Sequence, residues 1–131
     1  MTKKRILITT STFCEFSKEP INIIQNRGFQ IILNDKNRKL TTLELDKMLD
    51  GIDGVIAGTE TYSKKILEKH KSLKVISRLG VGLDNIDESA ASKTKIYTTS
   101  TTPAKGVAEL VLGLMINLSR KIVFQNNQLK S

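Results

Sequence analysis

The chain has 131 residues, 39% of them hydrophobic and 26% charged, a size and balance that fit one soluble globular domain. Twenty-one Lys and Arg against 13 Asp and Glu give a net charge of +8, but the basic residues are scattered. Aromatics make up only 5% and Trp is absent, so no nucleic-acid face with a stacking platform is expected. A single cysteine, Cys14, excludes an internal disulfide framework and suits a reducing cytoplasm. No apolar run nears the ~18 residues of a membrane span. Ile6-Leu7-Ile8, behind the basic start Met1–Arg5, is too short for a signal-peptide core.

Five short apolar runs punctuate the chain and are expected as strands: Lys4–Thr9, Gln30–Asn34, Gly54–Ala57, Leu73–Ser77 and Lys95–Thr98. They are continuous rather than alternating, as in strands covered on both faces. Helix signals fall between them. Pro20 suits a first turn, Ile21, Ile23 and Ile24 offer an apolar face, and Gly28 suits the stop. Thr41-Thr42-Leu43-Glu44 reads as a capping box ahead of Leu45, Met48 and Leu49. Ser63 can cap a helix to about Lys69, and Asp87 a short turn through Ala90-Ala91. This βα alternation predicts an α/β fold, a five-stranded parallel sheet with helices on both faces.

The last segment differs. From Val107 to Leu118 only Glu109, Gly113 and Asn117 are not apolar, and they form one narrow stripe. A helix over a single sheet face is half polar, so this one is expected to be buried from more than one side. Read as one helix from Gly106 to Gln128 it would be about 35 Å long. Its expected cover is either a second copy of the chain, giving a homodimer, or a further domain.

Ligands of an open parallel sheet sit at the C-terminal strand ends. Three loops qualify: Gly58-Thr59-Glu60-Thr61, Arg78 to Asp87, and Thr98 to Pro103. In the second, Gly80 and Gly82 flank Val81, so the backbone can turn sharply and present N–H groups to a carboxylate or phosphate, and Arg78 can add charge. Gly80-Val81-Gly82 is not a dinucleotide fingerprint, because Asn85 stands where a third glycine is needed. A plain glycine-rich turn accounts for it equally well. The residue pattern offers no metal-ligand spacing.

Leu-Lys-Val-Ile-Ser-Arg-Leu-Gly-Val-Gly-Leu-Asp-Asn-Ile-Asp at 73–87, Thr-Pro-Ala-Lys-Gly-Val-Ala-Glu-Leu-Val-Leu-Gly-Leu-Met at 102–115 and Ile-Ala-Gly-Thr-Glu at 56–60 resemble the D-isomer-specific 2-hydroxyacid dehydrogenases, in their phosphoglycerate dehydrogenase-like branch. The resemblance runs over nearly the whole chain. It implies a flavodoxin-like substrate domain, residues 1–105, followed by a linker helix, 106–131, that leads into a Rossmann domain for NAD, with NADP not excluded. It implies hydride transfer between the nicotinamide and C2 of a small 2-hydroxy or 2-keto acid. The family's catalytic His, its Glu partner and its substrate Arg have no counterpart here, so the chain alone is expected to be inactive.

By the same resemblance, the N–H groups around Gly80, Val81 and Gly82 hold the substrate carboxylate, with Arg78 beside them. Gly58 and Thr59 close over the substrate's far end. Val81, Thr102, Pro103 and Val107 lie against the cofactor. Asp84 and Asn85 are expected to hold the loop in place, Glu109 to be a buried carboxylate paired at the hinge, and His70 to be an exposed surface histidine. One departure counts against phosphoglycerate as substrate: many phosphoglycerate-specific members have Arg where this chain has Gly58. The competing reading is a stand-alone flavodoxin-like binding or signalling module. Against it, Thr9-Thr10-Ser11-Thr12 at the first strand end lacks the clustered acids of a receiver domain, and few aromatics are available to sandwich a flavin.

Overall fold

The computed structural model describes residues 3–130. Met1 and Thr2 of the basic start and Ser131 of the expected linker segment lie outside the described residues. Five strands, β1 (Arg5–Ile8), β2 (Gln30–Leu33), β3 (Gly54–Ala57), β4 (Val75–Arg78) and β5 (Lys95–Thr98), alternate with α1 (Glu19–Asn26), α2 (Thr42–Met48), α3 (Lys64–Lys69) and a 3-10 turn at Glu88–Ala90. All strand pairs are parallel, in the order β2-β1-β3-β4-β5. This is the flavodoxin-like doubly wound order, and its switch point lies between β1 and β3.

Local chemistry explains the elements. The Thr41 side chain accepts from Glu44 N–H while the Glu44 carboxylate accepts from Thr41 N–H, so the capping box forms as expected. Gly28 stops α1 with φ of +80°. Ser63 begins α3 without a side-chain cap. Strand β4 lies slightly later than its apolar run suggests, because Arg78 pairs in register with Ala57 and Thr98.

Burial is uneven across the sheet. Leu7, Val55 and Ile76 of the three central strands meet Leu45 and Leu49 of α2 and Ile66 and Leu67 of α3 in one core. The edge strands are not covered on both faces as predicted: Leu33 of β2 and Tyr97 of β5 are more than half exposed. Helix α1 has no buried residue, so it leaves β2 partly open.

Residues 101–130 form a separate compact unit of two helices, α4 (Ala104–Arg120) and α5 (Ile122–Lys130), rather than the single helix expected. The break falls at Lys121, which adopts the left-handed conformation with φ of +52°. Its N–H bonds back to Asn117 and Leu118 carbonyls. The Asn117 side-chain oxygen takes the Val123 N–H at 3.2 Å, standing in for an i−4 carbonyl. No residue of either helix is buried. Glu109 is likewise exposed rather than buried, 3.9 Å from Lys105 one turn earlier. Among the described residues, no helix is long and apolar enough to cross a membrane.

Candidate functional site

A cleft of about 240 Å³ opens at the carboxyl ends of β1, β3 and β4. That is the crevice the β1/β3 switch point creates. One wall is Thr9 to Thr12 after β1. Gly58, Thr59 and Glu60 after β3 form the floor, Arg78 and Leu79 close one side, and Lys39 stands on the loop between β2 and α2.

The floor is built around a buried carboxylate. Glu60 is 2% exposed, and its Oε2 accepts from the Thr9 hydroxyl at 2.7 Å and from Gly58 N–H at 3.1 Å. Gly58 N–H also donates to the Thr9 hydroxyl oxygen at 3.0 Å. A buried carboxylate needs such donors. Close by in the chain, Tyr62 is fully buried with its hydroxyl unpaired, and burial pushes its ionisation above the usual phenol range. A Cβ at Gly58 would stand 3.0 Å from Glu60 Oε2 and 3.2 Å from Thr10 Cβ. The absence of a side chain there keeps the cleft open.

Two asparagines hold the walls together. Asn85 Nδ2 donates to Glu60 O at 2.7 Å and to Gly58 O at 3.3 Å, while its Oδ1 accepts from Arg78 Nε at 3.4 Å. Asn85 thus holds the loop as expected, but through bonds to the loop after β3 rather than a local Asx turn, and the following 3-10 turn has no side-chain cap. Asn34, 7% exposed, donates from Nδ2 to Thr9 O at 2.7 Å and to Arg38 O at 2.8 Å. It ties the loop that carries Lys39 to the end of β1.

The glycine turn follows β4. Gly80 has φ of +144°, and a Cβ on it would lie 2.5 Å from Arg78 Nη1. The guanidinium folds over Gly80 and donates to the Leu79 carbonyl. Only glycine fits there. The turn is fixed on its other side by Thr99 N–H, which donates to Gly80 O at 3.2 Å. Leu79 and Val81 are both exposed, so the turn presents an apolar edge beside its amides.

The structure brings Gly58, Thr59 and Arg78 into one cleft, with Gly80, Val81 and Gly82 continuing from the Leu79 wall. Thr102, Pro103 and Val107 belong to the second unit. There the Thr102 hydroxyl accepts from Ala104 N–H at 3.2 Å, and Pro103 precedes the first turn of α4. His70 is not the exposed histidine expected. It is 6% exposed, ends α3, and its Nε2 lies 2.8 Å from Asp46 Oδ1 on α2. The Lys69 and His70 side chains hold the Asp46 carboxyl below its usual range. Sequence reasoning missed the cleft wall at Thr9–Thr12 and Lys39. The available signal was the switch-point rule, which selects the loop after β1 once the strand order is known.

The sequence profile of the D-isomer specific 2-hydroxyacid dehydrogenase catalytic domain matches residues 6–126. The chain belongs to this family. It is 33% identical over 115 residues to the hydroxypyruvate reductase of Thermotoga maritima, covering 82% of this chain and 38% of that protein. It is 39% identical over 80 residues to the D-3-phosphoglycerate dehydrogenase of Methanocaldococcus jannaschii, covering 60% of this chain and 15% of that one. The fold matches the NAD+-bound 3-phosphoglycerate dehydrogenase of Entamoeba histolytica with a TM-score of 0.69 and 26% identity, over 88% of this chain and 39% of that one. The chain therefore spans well under half the length of these relatives.

Proposed function

We infer that the first unit is the substrate-binding part of an NAD-dependent D-2-hydroxyacid dehydrogenase, in which Gly80, Val81 and Gly82 offer backbone N–H groups to the substrate carboxylate. The observation that carries this reading is the glycine turn after β4, folded under the Arg78 guanidinium. Arg78 adds positive charge beside those amides, and Asn85 orients it. Gly58 and Thr59 line the space for the rest of the acid. The exposed edge of Leu79 and Val81 suits the face of a nicotinamide ring; for Thr102, Pro103 and Val107, which belong to the second unit, a cofactor role rests on the family resemblance alone. NAD, or NADP in its place, supplies the acceptor or donor for a hydride at C2.

In this reading residues 1–105 form the substrate domain. Residues 106–131 lead toward a nucleotide-binding domain, with a second copy of the chain as the other cover for α4. The exposed Leu110, Leu112, Leu114 and Met115 support such docking. His70, buried against Asp46, is not a base for this reaction, so the 131 residues alone should turn over no 2-keto acid with NADH. The test is a titration of the chain with D-lactate, followed through its backbone amides. Shifts centred on Val81 and Gly82, without NADH oxidation in a 2-keto acid assay, are expected. Turnover by the chain alone, or shifts confined to residues remote from Gly80, would falsify the assignment.

A further inference from the structure

The basic residues are scattered along the sequence, but the fold gathers many of them at the amino-terminal edge of the sheet, opposite the cleft. In a parallel βα sheet the strands start and the helices end at that edge. One line of backbone bonds runs along it: Gln30 N–H to Lys4 O, Asp53 N–H to Arg5 O, Lys74 N–H to Asp53 O and Lys95 N–H to Lys74 O, all between 2.8 and 3.0 Å. Lys4, Arg5, Lys74 and Lys95 stand on this line, and Arg27 ends α1 beside it. Lys71 and Lys93 line one hollow of about 130 Å³ with Ser92 and Thr94. All of these cations but Arg5 are exposed. Only β3 starts beside acids. Asp53 accepts from the Arg5 N–H at 2.9 Å, and the Arg5 guanidinium donates to the Asp50 and Gly51 carbonyls at 3.3 and 3.4 Å. Among the described residues, neither Arg27 nor any of these lysines has a carboxylate partner. Glu68, which also lines the hollow, lies 3.9 Å from Lys64. Elsewhere in this unit Lys36, Arg38 and Lys69 pair with Asp35, Glu44 and Asp46. Cations at helix ends complement the helix dipole, which accounts for Arg27 and Lys71. It does not account for Lys4, Lys74, Lys93 or Lys95, which lie outside helices.

We propose that this edge binds the sugar-phosphate backbone of double-stranded nucleic acid without regard to base sequence. From β2 to β5 the row spans four strand spacings, about 19 Å at about 4.8 Å each. A duplex carries one charge per about 1.7 Å of its axis, so several phosphates meet the row at once. The chemistry of the edge selects among polyanions. The large apolar residues here, such as Phe29, Met48, Leu73 and Val75, are buried or half-buried. The edge therefore has no apolar anchor for a protein hot spot or for insertion into a lipid surface. It also exposes no aromatic ring, so a single strand has nothing to stack on. Ammonium groups set on a fixed backbone need only phosphates as partners. The proposal is independent of the substrate reading, since the row and the cleft lie at opposite ends of the strands.

The test follows the fluorescence anisotropy of a short labelled duplex, as DNA and as RNA of the same sequence, titrated with the 131-residue chain. About four phosphate contacts should give a slope of about −3.6 in log affinity against log salt, roughly a hundredfold loss between 50 and 200 mM. G·C-rich and A·T-rich duplexes should bind alike, and the tighter of DNA and RNA names the source of the backbone. Lys74→Ala combined with Lys95→Ala should flatten the slope by about 2. Lys64→Ala combined with Lys65→Ala removes the same charge at the start of α3, near the carboxyl edge, and should change the slope by less than half as much. Equal losses from the two pairs would make the attraction diffuse and overturn the proposal. Absence of binding at 50 mM salt would overturn it too, as would a single strand that binds tighter than the duplex. Polyglutamate or phosphatidylserine vesicles that bind as tightly at the same salt would name a different partner and overturn it likewise. The wild-type salt series and these competitors decide the matter even if a variant folds poorly.

Discussion

Residues 3–100 and residues 101–130 are both rich in aliphatic side chains, yet they use them in opposite ways. In the first unit Leu7, Leu45, Leu49 and Ile76 are fully buried. In the second, Leu110, Leu112 and Leu118 are 60–76% exposed, and no residue of α4 is buried. The difference lies in pattern more than in composition. Strands β1, β3 and β4 are short apolar runs bounded by polar residues, and α2 has a narrow apolar stripe. The central strands therefore have both faces to bury and α2 one definite face. Helix α4 is apolar nearly all round, so within two helices it has nothing of sufficient extent to bury against. The contrast supports the proposal that the second unit docks against a partner, while the first has a core of its own.

The sharpest way to break that contrast is to truncate the same residue type in both units. Leu45→Ala should cost about 2–5 kcal/mol in urea unfolding of the chain. Leu112→Ala should stay within about 0.5 kcal/mol, as a surface substitution does. Equal losses would mean that α4 is packed in solution, and concentration-dependent loss for Leu112→Ala would point to a second copy as its cover.

Glycine-to-alanine changes should differ in sign between the units. Gly80→Ala places a Cβ 2.5 Å from Arg78 Nη1 at a φ of +144°, and should destabilise by about 1–3 kcal/mol. It should also swing the guanidinium away from Gly80, seen as a changed Arg78 Nε resonance. Gly113→Ala in α4 meets nothing within 4 Å. It should stabilise the helix by up to about 1 kcal/mol, read as increased helical circular dichroism. A loss of helicity would show that Gly113 is a close-approach site in solution.

The fold was legible because its signals are local. Apolar runs, Gly28 and the Thr41–Glu44 box together define the elements, and the right-handed crossover rule turns βα alternation into a parallel sheet. The glycine turn was legible for the same reason, since Gly80-Val81-Gly82 announces an unusual backbone. What remained hidden depends on tertiary placement. Nothing in the sequence around Lys39 separates it from Arg38; Glu44, six residues on, engages the Arg38 guanidinium, and Asn34 ties the same loop across the sheet to Thr9 after β1. His70 looks exposed between two lysines, yet the α3 terminus turns it onto Asp46. The break at Lys121 has neither Gly nor Pro to announce it and rests on the Asn117 side chain bonding Val123 N–H.

The smallest expected effect concerns how the helices of the two units begin. Helix α2 starts with a reciprocal capping box, while α4 starts at Pro103 with no side-chain cap. The α2 cap is anionic and therefore sensitive to pH. The Arg38 guanidinium, then the Thr41 N–H and hydroxyl, hold the Glu44 carboxyl down to about 2, from an ordinary 4.5. A depressed folded-state value means that the contribution is fully present above the ordinary value. It is lost as pH falls through the window from 4.5 towards about 2. The group is exposed and screened, so the change in stability should be slight, and the local signal is the better measure. A carboxyl carbon titration should give Glu44 a midpoint near 2, with amide exchange at Glu44 accelerating over the same range while the first turn of α4 does not change in step. Arg38→Ala removes the leading cause and should move the midpoint up towards 4.5 with the capping box still formed. An unchanged midpoint in that variant would transfer the depression to the Thr41 cap, and with it the assignment of Arg38 as the engaged member of the Arg38–Lys39 pair.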